Sequence, residues 1–142
     1  MRQIVTGVDA SGRSCVVEER VTGPAPTGDR VTVETCYETR SNPGPCRPPG
    51  HGRYTDLHVG VGMARMITVQ WPAGAGASMH HTDTIDFDTV LEGSIDIILD
   101  DGAHRLEAGD TVIVTGVDHA WEAGPSGAAM TVITLGTPAP EA

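Results

Sequence analysis

The sequence predicts an all-β protein folded as a barrel or jelly roll, and three observations carry that prediction. Its 142 residues include 18 glycines and 10 prolines, which leave no uninterrupted window for a long helix and suit many short strands and turns. Aromatic residues are scarce, Trp71, Trp121, Tyr37, Tyr54 and Phe87 being the full set. The core must therefore come largely from Val, Ile, Leu, Met and Ala, of which Val and Ile favour strands. Apolar residues also alternate with period two in short runs divided by turn signals, and closing such runs into a barrel removes the edges they would otherwise expose.

The elements follow in order. Residues 2–8 read as a strand stopped by the turn residues Asp9-Ala10-Ser11-Gly12, and Ser14 to Val21 as its successor. Thr22 to Arg30, with two prolines and two glycines, is a loop. Val31 to Thr39 alternates, with Val31, Val33, Thr35 and Tyr37 on one face, as a half-buried strand requires. Residues 41–53, holding four prolines and three glycines, form a surface loop or lid. Strand character resumes from Leu57 to Trp71, interrupted at Gly60-Val61-Gly62, and a glycine-rich turn spans Pro72 to Ser78. From Thr84 the period is again two, with Ile85, Phe87, Thr89 and Leu91 opposite Thr84, Asp86, Asp88 and Val90. Glu92-Gly93 breaks this strand, Ile95 to Leu99 continues it, and Asp100-Asp101-Gly102 is a hairpin turn. Short strands are expected at 104–107, 111–114, 119–122 and 128–135, with a loop over 123–127. A single domain covers 1–142, as N-terminal strands and a Pro/Gly-rich loop (1–58), a barrel core (59–136) and a tail (137–142).

Charge and motif content narrow the function. A formal charge of −10 repels a phosphate backbone or an anionic membrane surface, and no Lys/Arg cluster offsets it, so neither nucleic acid nor membrane is an expected partner. Cys15, Cys36 and Cys46 are odd in number and lack CxxC spacing, which suits reduced thiols in a cytoplasmic protein. No apolar run reaches the length of a signal peptide core at the N-terminus or of a membrane span elsewhere. The run Gly60-Val61-Gly62 fails as a dinucleotide fingerprint, since Arg65 stands where a third glycine belongs and no helix is expected after it. Hydrolase and nucleotide-binding motifs are absent. His51, His58 and His104 read as solvent-facing loop or turn residues.

Two stretches remain, GASMHHTDTIDFDTVLEG at 76–93 and GDTVIVTGVDHAW at 109–121. They resemble the two motifs of the cupins, small jelly-roll β-barrels. Gly93 matches the closing glycine of the first motif, Asp86 stands at its glutamate, and His80 at its first histidine with Thr82 at the second. The alternative spacing puts His81 at the second histidine and Met79 at the first. Gly116 and His119 match the second motif, and Glu107 to Val114 looks like the turn that precedes it in many members. The stretches at 2–14 and 79–93 resemble small single-domain cupins found beside natural-product pathways, among which are dehydratases, cyclases and isomerases.

The resemblance implies a cupin-type jelly-roll β-barrel, a small-molecule substrate and a homodimer. It further implies that His80, Asp86 and His119 converge in the barrel as catalytic residues and as ligands of a divalent transition metal (Fe, Mn, Ni or Zn). His81 is a further candidate ligand, reaching the same ion as His80 only through a bulge. Thr82, Asp88 and Trp121 are expected to line the pocket. The chemistry implied is a dehydratase, isomerase or cyclase acting on a small oxygenated metabolite. Without a metal, Asp86 and His119 would do acid/base work alone. The alternatives are a metal-dependent dioxygenase and a non-catalytic ligand-binding cupin.

Overall fold

The computed structural model describes residues 1–23, 31 and 33–141. Among them there is no helix, and nine strands follow one another: β1 (Arg2–Val8), β2 (Ser14–Val21), β3 (Arg53–Tyr54), β4 (Ala64–Trp71), β5 (Gly76–His81), β6 (Thr84–Leu99), β7 (Gly102–Glu107), β8 (Thr111–Val114) and β9 (His119–Gly136). The all-β expectation holds.

Two long strands organise the rest. β6 and β9, of 16 and 18 residues, pair antiparallel from Thr84 opposite Gly136 to Ile98 opposite Ala120. The sheet runs β2-β1-β8-β6-β9-β5-β3, with β4 added along the second half of β9 and β7 along the second half of β6. It curls around a core of Ile4, Ile95, Ile97, Leu106, Val112 and Val114. Among the described residues it does not close, because β4 pairs there only with β9 and β7 only with β6.

The breaks expected at Glu92-Gly93 and at 123–127 are bends inside continuous strands. The β6–β9 register shifts between Val90 and Glu92 and again between Gly93 and Ile95. Gly93 has φ +70°, and a Cβ there would fall on the carbonyl oxygen of Gly127, itself at φ +74°. Glycine meets both demands, the positive φ and the close backbone approach. The bulges tighten the twist and fold the long hairpin over on itself.

The strand expected at 31–39 is not formed among its described residues. Val33 is 87% exposed, and the segment is held instead by Gln3, whose Nε2 donates to the Cys36 carbonyl at 2.6 Å. Tyr37 packs edge-on against Phe87 with ring centroids 5.7 Å apart, covering a small outer cluster of Val5, Ile85 and Ile113. Alternation is a property of the segment alone and could not supply a neighbouring strand. Thr32, residues 24–30 of the expected loop and Ala142 of the tail lie outside the described residues.

Register fixes what faces inward. Three rows cross β4, β9 and β6 on one face: Arg65–Thr134–Asp86, Ile67–Val132–Asp88 and Val69–Met130–Val90. On β5, His80 lies opposite His119 and Ala77 opposite Trp121.

Candidate active site

These rows and the β5–β9 pair enclose a hollow of about 150 Å³, open toward β4, where Ile67 remains 37% exposed. His80, Thr82, Asp86, Asp88, His119 and Trp121 all line it. The side chains at 80, 86 and 119, distant in the chain, face one space. The period-two pleat explains this: Asp86 and Asp88 share a face of β6, as His119 and Trp121 share one of β9.

The two imidazoles are held alike. Their ring centroids lie 4.2 Å apart. His80 Nδ1 is 2.8 Å from the Ser78 carbonyl and His119 Nδ1 is 2.8 Å from the Val117 carbonyl. A carbonyl only accepts, so each Nδ1 carries the proton and each Nε2 keeps its lone pair. Burial, with the neighbouring His80 ring, lowers the His119 pKa from 6.5 to about 4. His119 is therefore a neutral base at ordinary pH. Trp121 meets its ring edge to face at 5.9 Å.

The two carboxyls are driven the other way. Asp86 and Asp88 are buried, and neither Oδ1 has a hydrogen-bond partner. Burial raises Asp86 from 3.8 to about 6, tempered by the nearby hydroxyls of Thr84 and Thr134 and by the Arg65 charge. Thr134 Oγ1 makes no close hydrogen bond of its own, and the Thr84 hydroxyl pairs with that of Thr82 at 2.7 Å. Burial raises Asp88 well above the carboxylate range, and the adjacent Asp86 adds to it. An ionised carboxylate without partners is costly in such a place, so Asp88 holds its proton.

His81 is separated from the other three. The bulge in β5 falls between Ala77 and His80, ahead of the two histidines, so 80 and 81 keep strict alternation and 81 points away from the hollow. Its Nδ1 meets Asp118 Oδ1 at 2.9 Å on the far side of the strand pair. Asp118 also accepts the backbone N–H groups of His51 at 2.6 Å and Gly52 at 2.9 Å. Burial pushes its carboxyl up, but these donors together outweigh it and leave the group below its ordinary range. A Cβ at Gly52 would stand 2.7 Å from Asp118 Oδ1, so glycine admits this close docking. The loop over 41–53 is thus fastened at its end to the residue next to His119. His51, expected to be free in solvent, keeps a 63% exposed side chain but places Nε2 2.9 Å from Asp100 Oδ1.

The donor set fits a metal only in part. Two imidazole nitrogens with free lone pairs suit a divalent ion, their Nδ1–H groups held by carbonyls as in many metal-binding histidines. The carboxylate does not complete the set. Among the described residues, the group of three whose donor atoms all lie within 4.8 Å of one another is His51, Asp100 and Asp118, outside the hollow. His80, Asp86 and His119 face a common space without reaching the spacing of three ligands on one ion.

Several lining residues had no motif to mark them. Trp71, Ile67 and Val69 come from β4, and Met130, Val132 and Thr134 from β9. The alternation of both segments was readable, but which of their faces turned inward depended on pairing with β6.

No family model matches the chain. It is 38% identical over 63 residues to phomopsin biosynthesis cluster protein C′ of Diaporthe leptostromiformis, covering 44% of this chain and 32% of that protein. It is 29% identical over 101 residues to oryzines biosynthesis cluster protein J of Aspergillus oryzae, covering 69% and 49%. The chain thus spans between about a third and a half of the length of these curated relatives. Among solved structures, an RmlC-like cupin from Shewanella frigidimarina superposes with a TM-score of 0.46 at 20% identity, over 50% of this chain and 64% of that one. A cupin protein from Bacteroides fragilis gives a TM-score of 0.46 at 23% identity, over 56% and 70%. Strand pairing and register give an all-β, curled sheet of the jelly-roll kind, and in sequence the chain is similar to biosynthesis-cluster proteins.

Proposed function

We propose that the hollow is an acid/base active site that moves a proton on a small oxygenated metabolite, as in a dehydratase, isomerase or cyclase of secondary metabolism. One observation carries this reading: a pair of carboxyls and a pair of imidazoles face the same space, and burial drives the carboxyls and His119 toward opposite extremes of proton affinity. A site that keeps an acid protonated and a base unprotonated at one pH holds both partners of a proton transfer ready. His119 Nε2 accepts a proton from carbon or hydroxyl. The carboxyl pair donates one to the developing oxyanion or leaving hydroxyl. Burial around His119 disfavours a positive charge there, so the proton is passed on rather than kept. Similarity to biosynthesis-cluster proteins supports the setting and leaves the metabolite open.

The test is solvent deuterium exchange at the carbon beside the carbonyl of small cyclic ketones, followed by NMR. Wild-type protein treated with a chelator should catalyse exchange, His119→Gln and Asp88→Asn should each lose it, and circular dichroism should show both variants folded. Exchange that disappears on chelation and returns with Fe, Mn, Ni or Zn would overturn the metal-independent reading. Full exchange in folded His119→Gln would overturn the role of the base.

A further inference from the structure

The composition of the hollow also selects its guest. Among the described residues no Lys or Arg lines the hollow, whose apolar side chains come from β4, β5, β9 and Leu57. Arg65, in the Asp86 row, is exposed and gives its Nη2 to the Leu57 carbonyl at 2.7 Å. An anion entering this space would lose water and find no cationic side chain among the described lining residues, the Arg65 guanidinium being held outside on the Leu57 carbonyl. Ionised carboxyls would repel it, and protonated ones would offer hydrogen bonds without a positive charge, so a neutral guest is favoured in either state.

Four buried polar atoms on lining residues have no partner: Asp86 Oδ1, Asp88 Oδ1, Thr134 Oγ1 and Trp71 Nε1. Buried polar atoms in folded proteins are nearly always satisfied, and unsatisfied ones call for a specific explanation. Asp86, Asp88 and Thr134 occupy adjacent rows of β6 and β9, which makes one end of the hollow polar. The other end is indole, with Trp71 and Trp121 tilted at 37° and 6.5 Å apart. The size is also restrictive, because an apolar cavity of about 150 Å³ takes one benzene-sized ring.

Resting on the reading of this hollow as the reaction site, we propose that it takes a neutral, single-ring, oxygen-bearing compound, a phenol or cyclic ketone in type, and rejects carboxylated and phosphorylated ones. The ring lies against the Trp121 and Val132 walls with its oxygen at the Asp86–Asp88 end. The Trp71 N–H serves a second oxygen substituent or the ring face.

The protein has two tryptophans, so its two indole N–H signals in a nitrogen-proton correlation spectrum report on this hollow alone. The full chain is titrated with p-cresol and cyclohexanone, and with benzoate and phenyl phosphate, at about pH 8, where both anions are fully charged. The neutral probes should move both signals and bind at least roughly tenfold more tightly than the anions. Val132→Phe, which fills the hollow, should abolish the movement while the spectrum stays folded. Anions binding as tightly as neutral rings, neutral probes moving neither signal, or full binding in Val132→Phe would each overturn the proposal. Asp88→Asn separates this proposal from the proton-transfer reading, since it should keep the preference for neutral rings while losing deuterium exchange. In the wild type, anions binding as tightly as neutral rings with exchange intact would sink the guest class alone, and a preserved preference with no exchange would sink the chemistry alone.

Discussion

Replacing Asp86 with asparagine tests the electrostatic basis of the site directly. The folded carboxyl titrates near 6 against an ordinary 3.8. Because the folded value is the higher, the unfolded chain releases its proton first as pH rises, and stability falls between about pH 4 and pH 6. At 1.36 kcal/mol for each tenfold change in proton affinity, the Asp86 contribution alone falls by about 3 kcal/mol across that window. An amide does not titrate, and any cost of burying it is the same at every pH. Asp86→Asn should therefore be about 3 kcal/mol more favourable relative to wild type at pH 8 than at pH 4. Urea unfolding at a series of pH values gives the difference, provided the m-value is unchanged. A difference that stays flat across the range would refute the claim that this carboxyl is held out of water. The wild-type curve is a second check. His119, lowered from 6.5 to about 4, loses about 3 kcal/mol as pH falls through its window, opposite in sign to Asp86. The two contributions nearly offset each other, while Asp88, its carboxyl also raised by burial, keeps its own loss with rising pH, so wild-type stability should still fall as pH rises.

The remaining predictions use the same folded-state logic. His119→Gln removes a group that resists protonation, so the double variant should gain about 3 kcal/mol relative to Asp86→Asn alone between about pH 6.5 and pH 4, as urea unfolding would show. Asp118→Asn leaves one acceptor oxygen where a carboxylate takes two amides and an imidazole. At about 1.5–3 kcal/mol for a hydrogen bond to a charged group, it should lower stability by about that amount and speed amide exchange at His51 and Gly52. Gly93→Ala sets a methyl against the Gly127 carbonyl at φ +70° and should cost more than about 3 kcal/mol, read as a large fall in Tm. Gly23→Ala, with nothing within 4 Å of its Cβ, should leave Tm unchanged.

Much of this architecture was legible because β periodicity is rigid. Once Asp86 is placed on the inner face of β6, Asp88 and Val90 must follow it, and the same rule joins His119 to Trp121. Turn chemistry located the ends of β1, β6 and β8 for an equally local reason, as at Asp100-Asp101-Gly102. What was hidden depended on partners. The disruption at Gly93 showed in the sequence, but that it bends a strand rather than ends it follows from the approach of Gly127, 34 positions on. Val31 to Thr39 carried a strand pattern without a strand beside it. The inward face of β4 could not be chosen without the register of β9, so Trp71, Ile67 and Val69 stayed unassigned.

His81 shows how one register serves two purposes. With His80 opposite His119, the next step of an antiparallel pair sets His81 beside Asp118, and the pleat sends this second couple to the other side. The imidazoles meet inside the hollow, while the imidazole and carboxylate meet outside and pin the 50–52 backbone. A slip of one residue would turn His81 or Asp118 inward, strand Asp118 from its amides and remove the histidine pair from the hollow together. The adjacent pairs His80-His81 and Asp118-His119 therefore specify β5–β9 alignment more strongly than either reactive residue could alone. Breaking the outer couple should misplace the inner one: in Asp118→Asn, the amide protection lost at His51 and Gly52 should be recovered in part by ring ligands that bind the hollow, since they favour the aligned register by their own binding energy.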